Sequence, residues 1–385
     1  MKRSMIYPFA VLAGTAMLTA QQPVFSSDDE VESVLTEAGP VSVKEIAKGL
    51  NHPWGLAFLP DGRLLVTERA GDLRVLEGNG KLSRPVRGVP KVFADGQGGL
   101  LDVALDPDFE QNGWVYLSYA ESGQGGASTA LGRGKWQDGR IQDFEVLFRQ
   151  EPRIDGNKHF GGRIVFDEEG HLFLTLGERF QFDPAQDLSN HLGTVVRLNA
   201  DGSVPDDNPF VGEAGKREEI WSYGHRNVQA AAVHPDTGDL WIVEMGPLGG
   251  DELNQPQKGH NYGWPVVSAG YHYNGSEIAK PETHPEFTGA VKYYSPVISP
   301  SGMAYYTGES FPEWQDSFFV GGLSSRQLVR IEIDGQEVAH EERIPLPERI
   351  RDVEQGPDGM LYVITDTKDG AIWRLEPLRP SGQDS

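Results

Sequence analysis

The feature that most constrains the fold of this chain is a phrase that returns six times. An alternating apolar run leads into a turn rich in Pro, Asp and Gly, and a second alternating run leads out. The copies are GLAFLPDGRLLVTERAGDLRVLE at 55–77, LLDVALDPDFEQNGWVYLSYAE at 100–121, GRIVFDEEGHLFLTLGE at 162–178, AAAVHPDTGDLWIVEMGP at 230–247, GMAYYTGESFPEWQDSFFVGGL at 302–323 and RDVEQGPDGMLYVITDTKDGAIWRLE at 351–376. Period-two flanks around a tight turn read as a β-hairpin. One such sheet cannot bury both of its faces, whereas six in a ring bury one another and leave only short edges. The expectation is an all-β chain folded as a six-bladed β-propeller. The 47 Gly and 26 Pro among 385 residues suit a fold of many turns and argue against helical bundles. Two β-sandwiches are the competing arrangement; they need a linker, and no low-complexity linker lies between 41 and 377. The long stretches 179–225 and 248–298 are expected on one face of the ring, over the central channel.

The N-terminus reads as an address. Lys2 and Arg3 precede an apolar run at 5–18, followed by Thr19-Ala20-Gln21. That is a signal-peptide pattern, too short to span a bilayer comfortably. Residues 1–20 are expected to be removed, 21–40 to form a flexible acidic leader, 41–378 the propeller and 379–385 a tail. A periplasmic or secreted protein follows, without membrane insertion, as a monomer or homodimer. The formal charge of −23 makes nucleic acid and anionic lipid poor partners. Zero cysteines remove disulfides, thiolate metal sites and cysteine nucleophiles together.

Phosphate loops, G-x-S-x-G elbows, H-E-x-x-H helices and dinucleotide fingerprints are all missing from the sequence. Polar clusters remain, mostly next to the repeats. Gln97 sits among glycines in DGQGGLLD, as a ligand-facing amide or a surface turn. His159, in NKHFGGR, stands at the lip of a repeat, as a general base or a structural histidine bonded to a turn carbonyl. Arg226 and Asn227, in WSYGHRNVQ, suit a planar anion or a developing oxyanion, with stacking of the arginine on Tyr223 as the simpler account. The segment at 244–265 combines Asp251 and Glu252 with the Gly246-Pro247 turn and Tyr262. Oxygen ligands of this kind suit calcium, or equally a solvated acidic loop. Arg349 and Arg351 lie two apart, on one side of an extended strand, and suit a polyanion or a solvated edge.

Together, HPWGLAFLPDGRLLVTER, GQGGLLDVALDPDF, HFGGRIVFD, SYGHRNVQ, GPLGGDELN, NYGWP, SPSGMAYYTG and RIRDVEQGPDG resemble the soluble pyrroloquinoline-quinone (PQQ)-dependent aldose sugar dehydrogenases of the glucose/sorbosone dehydrogenase family. The phrases stand in family order from about Asn51 to the last repeat. The resemblance implies a six-bladed propeller that oxidises aldoses at C1 to lactones, by hydride transfer to PQQ, and passes electrons to an external acceptor such as a cytochrome or quinone. It implies His159 as the base, Arg226 and Asn227 as the pair that binds and polarises the quinone, and Gln97 as the amide at the sugar and quinone site. Arg349 and Arg351 would hold the cofactor carboxylates, and Tyr273 would pack on the cofactor. Gly246 and Pro247 carbonyls would ligate a cofactor-bound calcium ion (Ca2+). Glu252, Tyr262 and Asp251 would form a second, structural calcium site. Ser324 departs from a cofactor-contacting Lys seen in some members, with Arg326 two residues on as a substitute. Lys158 departs from an Asp before the histidine in glucose-specific members, which implies an open site of broad aldose specificity. A calcium-dependent sugar lactonase and a non-catalytic propeller binding glycans or envelope partners are the alternative functions.

Overall fold

The computed structural model describes Phe25 and residues 29–378. The expected signal peptide and the tail at 379–385 lie outside the described residues. Two strands, β1 (Glu30–Thr36) and β2 (Gly39–Leu50), precede the first repeat. The first blade then holds β3 (Pro53–Phe58), β4 (Leu64–Glu68) and β5 (Asp72–Leu76). The second holds β6 (Leu100–Leu105), β7 (Trp114–Gly123), β8 (Gly126–Gln137) and β9 (Arg140–Arg149). The third holds β10 (Gly161–Phe166), β11 (His171–Leu176), β12 (Thr194–Asn199) and β13 (Ile220–Tyr223). The fourth holds β14 (Val228–Val233), β15 (Leu240–Glu244), β16 (Asp251–Asn254) and β17 (Lys292–Tyr294). The fifth holds β18 (Pro300–Tyr306), β19 (Ser317–Gly322), β20 (Gln327–Asp334) and β21 (Glu337–Pro345). The sixth is built from β22 (Ile350–Gln355), β23 (Leu361–Thr365) and β24 (Gly370–Pro377), completed by β2 and β1. These six antiparallel sheets form the expected propeller, and each repeat phrase supplies the inner hairpin of one blade.

The ring closes where β2 pairs with β24, from Val41 opposite Pro377 to Leu50 opposite Gly370. Part of the expected leader is therefore strand. Residues 30–36 pair with 39–44, and Val34 and Thr36 are buried while the alternate Leu35 is exposed. A charge contact fixes this hairpin: Glu37 meets Arg330 at 3.1 Å and His340 at 2.6 Å on the fifth blade. The acidic composition that suggested a leader supplies this docking carboxylate. The long stretches also differ from expectation in part. They contain the outer strands β12, β13, β16 and β17, so the long loops that remain are 179–193, 200–219 and 255–291.

The innermost strands β3, β6, β10, β14, β18 and β22 stand side by side around the axis. All six carry a register irregularity at their start, a bulge that can turn a side chain toward the channel. Arg163, within the bulge of β10, reaches all five other inner strands. Its guanidinium donates to the carbonyls of Trp54, Gln229, Ser301 and Arg351 at 2.9 to 3.4 Å. It also lies 3.0 Å from both Asp102 and Asp352. Room for these carboxylates comes from glycine: a Cβ on Gly302 would lie 1.8 Å from Asp352 Oδ1. Apolar clusters fill the spaces between blades. One runs from β18 to β24 and includes Trp314, stacked on Phe311 at 3.9 Å, together with Trp373. Each such side chain contributes about 1.5–3 kcal/mol of burial.

Candidate active site

The chain segments that enter the inner strands gather at one mouth of the channel. They enclose a cavity of about 230 Å³ lined by Trp54, Arg69, Gln97, Asn227, Gln229, Met245, Arg349, Arg351 and Asp366 among others. Arg163 closes the axis alongside it, with its guanidinium 4.2 Å from the Trp54 ring.

His159 stands two residues before β10 with φ +54°, a left-handed conformation that non-glycine residues seldom adopt. Two contacts fix it there. Its N–H donates to Gln97 Oε1 at 2.7 Å, and its Nδ1 lies 2.5 Å from Oε1 of the fully buried Glu178. Glu178 Oε2 accepts the N–H groups of Gln181 and Phe182. A carboxylate already serving as acceptor for backbone donors favours Nδ1–H on the histidine, which leaves Nε2 with the lone pair. Burial pulls the His159 pKa below the ordinary value. The Glu178 bond opposes this, and the charges of Arg226 and Arg179 add to it. Burial thus favours the neutral imidazole, and the Glu178 contact favours its Nδ1–H tautomer. Gly177 allows the approach: a Cβ there would lie 2.1 Å from the His159 carbonyl oxygen. The neighbours Phe160 and Gly161 line the cavity.

Arg226 is buried beside this pair. Its N–H donates to Glu244 Oε2 at 2.6 Å, Nη1 to the carbonyls of Met245 and Gly246 at 2.9 and 2.7 Å, and Nη2 to the Tyr273 hydroxyl at 3.0 Å. The Arg226 Nε has no partner among the described residues. Its ring contacts are with Trp264 and Tyr273, not Tyr223. Asn227 Oδ1 accepts from Gly161 N and Gln229 Nε2, both at 3.2 Å. On the far wall, Arg349 and Arg351 both reach Asp366 Oδ2, at 2.8 and 3.0 Å. Burial alone would raise the Asp366 pKa, but the two guanidiniums hold it far below the usual carboxylate range. Arg351 Nε is buried without a partner. Arg69 adds a third guanidinium to the lining.

The expected calcium residues separate into two groups. Gly246 and Pro247 border the Arg226 contact. Asp251 is spent on organising that loop: Oδ1 accepts Gly246 N at 2.9 Å, and Oδ2 accepts Ile298 N and Ser299 N, both at 2.8 Å. Burial, outweighing those bonds, raises its pKa to about 6. Glu252 lies instead beside Glu244, and Asn254 Nδ2 bridges the two at 3.4 and 3.1 Å. Burial, then the charges of Glu244 and Asp251, pushes the Glu252 carboxyl well up. Asn254 Oδ1 is buried without a partner. The Tyr262 phenol is already used, donating to Gln255 O at 2.6 Å and accepting Gln257 N at 3.0 Å. Ser324 shares a 2.6 Å hydrogen bond with Ser299, which lines the cavity, whereas Arg326 is exposed and not part of the lining. Tyr273 is 57% exposed, at the rim, where it touches Arg226.

The family model for glucose/sorbosone dehydrogenases matches residues 50–374. The chain belongs to that family. It is 46% identical to the aldose sugar dehydrogenase YliI of Escherichia coli over 347 residues, 88% of this chain and 93% of the relative. It superposes on the apo-form of the soluble aldose sugar dehydrogenase from Escherichia coli with a TM-score of 0.85 at 46% identity, covering 88% and 99% of the two chains. The PQQ-bound aldose sugar dehydrogenase of Streptomyces coelicolor gives a TM-score of 0.70 at 31% identity, covering 87% and 98%.

Residues that the motifs did not single out hold several of the expected ones in place. Glu178, Glu244 and Asp366 each come at or just after the second strand of a blade, and each holds a residue that precedes the first. Glu68 does the same for Asn51 in the first blade. The repeats carry this signal when aligned: LTLGE, WIVE, VITD and LVTE all end in an acid.

Proposed function

We propose that this protein is a PQQ-dependent quinoprotein oxidising aldose sugars at C1 to lactones. The observation that carries the reading is a buried imidazole held by Glu178 at the edge of a cavity lined by three arginines. The residues fit the cofactor: Arg351 Nε and Arg226 Nε are buried donors without acceptors among the described residues, and an anion bearing carboxylates and carbonyls supplies acceptors. Arg69, Arg349 and Arg351 would hold the carboxylates, with Asn227, Gln97 and Ser324 at the ring and Tyr273 at its rim. Arg226 would hold the quinone oxygen, and the Gly246 and Pro247 carbonyls a calcium ion beside it. The second calcium ion would sit at Glu252 with Tyr262. The uncompensated Glu252 carboxyl and the orphaned Asn254 Oδ1 favour that placement. Asp251, bonded to three N–H groups, would support the loop and leave ligation to Glu252.

Bound PQQ supplies the two-electron acceptor for the hydride from C1. The chain's own part is to place and deprotonate the sugar. His159 Nε2 accepts the C1 hydroxyl proton, and Glu178 stabilises the imidazolium that forms, as an orienting acid does for a catalytic base. Electrons then pass to an external acceptor, a cytochrome or quinone, outside the cytoplasm. A lactonase would need free carboxylates at the channel centre; Asp102 and Asp352 are there, but both are tied to Arg163.

The test is reconstitution with PQQ and calcium, followed by dye reduction with glucose, xylose, arabinose and maltose. Quinone-dependent reduction is expected. Lactone hydrolysis without quinone, or neither activity, would refute the proposal. Changing His159→Ala should cut turnover by about 10²–10⁴-fold while PQQ still binds.

A further inference from the structure

The turn after Glu178 is strained in a way the catalytic contacts alone do not require. Arg179, Phe180 and Phe182 all have positive φ, at 58°, 62° and 65°. Three left-handed non-glycine residues within four positions cost free energy and persist only when their surroundings hold them. Here they are held. Glu178 accepts the N–H groups of Gln181 and Phe182, and the Arg179 guanidinium donates to the carbonyls of Lys158 and Gly156. The outcome is a line of rings leading away from His159. Phe180 lies edge-on to the imidazole at 5.1 Å, Phe182 is 5.3 Å beyond it, and His272 is a further 6.2 Å out. Tyr273 lies 6.2 Å from Phe180 on the other loop, and Trp264 backs Phe182 at 5.6 Å. None of these rings is closed off as a core would be, except Trp264: Phe180, Phe182 and His272 are half-buried and Tyr273 is exposed. Leu248, between β15 and β16, and Tyr271, also among the large exposed apolar residues, pair with each other nearby. Contiguous exposed apolar rings beside a polar cavity mark a ligand groove.

We infer that this line of rings is a subsite for the second sugar ring of an oligosaccharide, and that Phe182 is its specificity-determining residue. The inference rests on the proposed C1 oxidation, which places the reducing-end ring at His159. Phe180, against the His159 ring, and Phe182 beyond it stand on the side where a glycosidic neighbour would meet aromatic faces. The apolar C–H face of a pyranose carries partial positive charge and meets the negative face of an aromatic ring favourably. The spacing from imidazole to Phe180 to Phe182 is comparable to that of successive rings in a glucan. The cation Lys158, 4.6 Å from the Phe180 ring, leaves sugar hydroxyls a donor at the near edge.

Two measurements test this. In the reconstituted enzyme, Phe182→Ala should lower kcat/KM for maltose, cellobiose or maltotriose about tenfold while glucose changes less than twofold. Phe182→Leu, which keeps volume without an aromatic face, should give the same split. In the cofactor-free protein, binding can be followed by tryptophan fluorescence, to which Trp54 in the cavity and Trp264 behind Phe182 both contribute. Titration should show at least one of these oligosaccharides binding more tightly than glucose, and Phe182→Ala should erase the difference. Equal losses for glucose and the oligosaccharides, or no preference in either assay, would overturn the subsite. So would an effect confined to the KM of a hydrophobic quinone acceptor, which would make the groove a docking place for that acceptor. Sugar binding that survives while dehydrogenase activity is absent would refute the proposed oxidation and leave the subsite standing.

Discussion

Replacing Arg163 with methionine tests the account of the channel axis. The substitution keeps an unbranched side chain but removes a guanidinium bonded to four carbonyls and two carboxylates on the five other inner strands. It leaves Asp102 and Asp352 buried without their counter-ion. Breaking a buried pair in this way costs about 3–5 kcal/mol, most of it for the stranded charge. Spread over the unfolding entropy of a domain this large, that is a fall in Tm of roughly 4–7 °C. The cost should depend on pH in a stated direction. Burial raises the Asp352 pKa to about 7 even with Arg163 present, so the folded protein binds this proton more tightly than the unfolded chain. A carboxyl raised on folding stabilises below its unfolded pKa, and that contribution is lost as pH climbs through the folded value. Without Arg163 the folded pKa rises further. The variant should therefore lie closest to the parent near pH 5 and fall furthest behind near pH 8. Thermal unfolding of both proteins across that range gives the answer. A variant matching the parent at pH 8, or a deficit that does not change with pH, would refute the picture of one cation serving two buried acids.

Three other outcomes follow from the site. Glu178→Gln should lower kcat by about 10²-fold or more with PQQ still bound, because the amide no longer fixes Nδ1–H. Since Glu178 raises the His159 pKa and burial lowers it, the acid limb of kcat/KM in this variant should move to lower pH; an unmoved limb would remove Glu178 from that role. Gly177→Ala places a Cβ against the His159 carbonyl oxygen and should lower turnover more than it lowers Tm, which steady-state kinetics and melting curves can separate. Calcium should raise the Tm of the apoprotein, and Glu252→Gln should shrink that rise while itself stabilising the metal-free protein by relieving a buried charge. A calcium effect of the same size in the variant would displace the metal from Glu252.

Much of this was legible in the sequence because hairpin periodicity and turn residues are local. The six repeat phrases mark the inner hairpins of all six blades; of the motif residues, Gln97, Asn227, Arg349 and Arg351 line the cavity, and His159 and Arg226 stand just behind its wall, next to the lining residues Phe160 and Asn227. What local pattern could not show were the partners. Glu178 looks like the polar end of a strand until the blade folds it back onto His159, and Arg163 looks like one more charge in HFGGRIVF until the ring closes around it. Composition misled at 30–40, where glutamates suited a solvated leader although one of them pairs across blades with Arg330. Asp251 read as a ligand because it is acidic and stands beside Glu252. Neighbours on a strand face opposite ways, so only one of the two can point toward Glu244.

The pairing of β2 with β24 has a consequence for the cavity. Arg349, Arg351 and Asp366 all belong to the blade assembled from both ends of the chain. Their wall of the cavity is built on the sheet that β24 and β2 complete together. The guanidinium side of the cavity therefore shares its sheet with the seam of the ring, so a change that loosens the β2–β24 pairing is felt at Arg349 and Arg351 as well as at the seam.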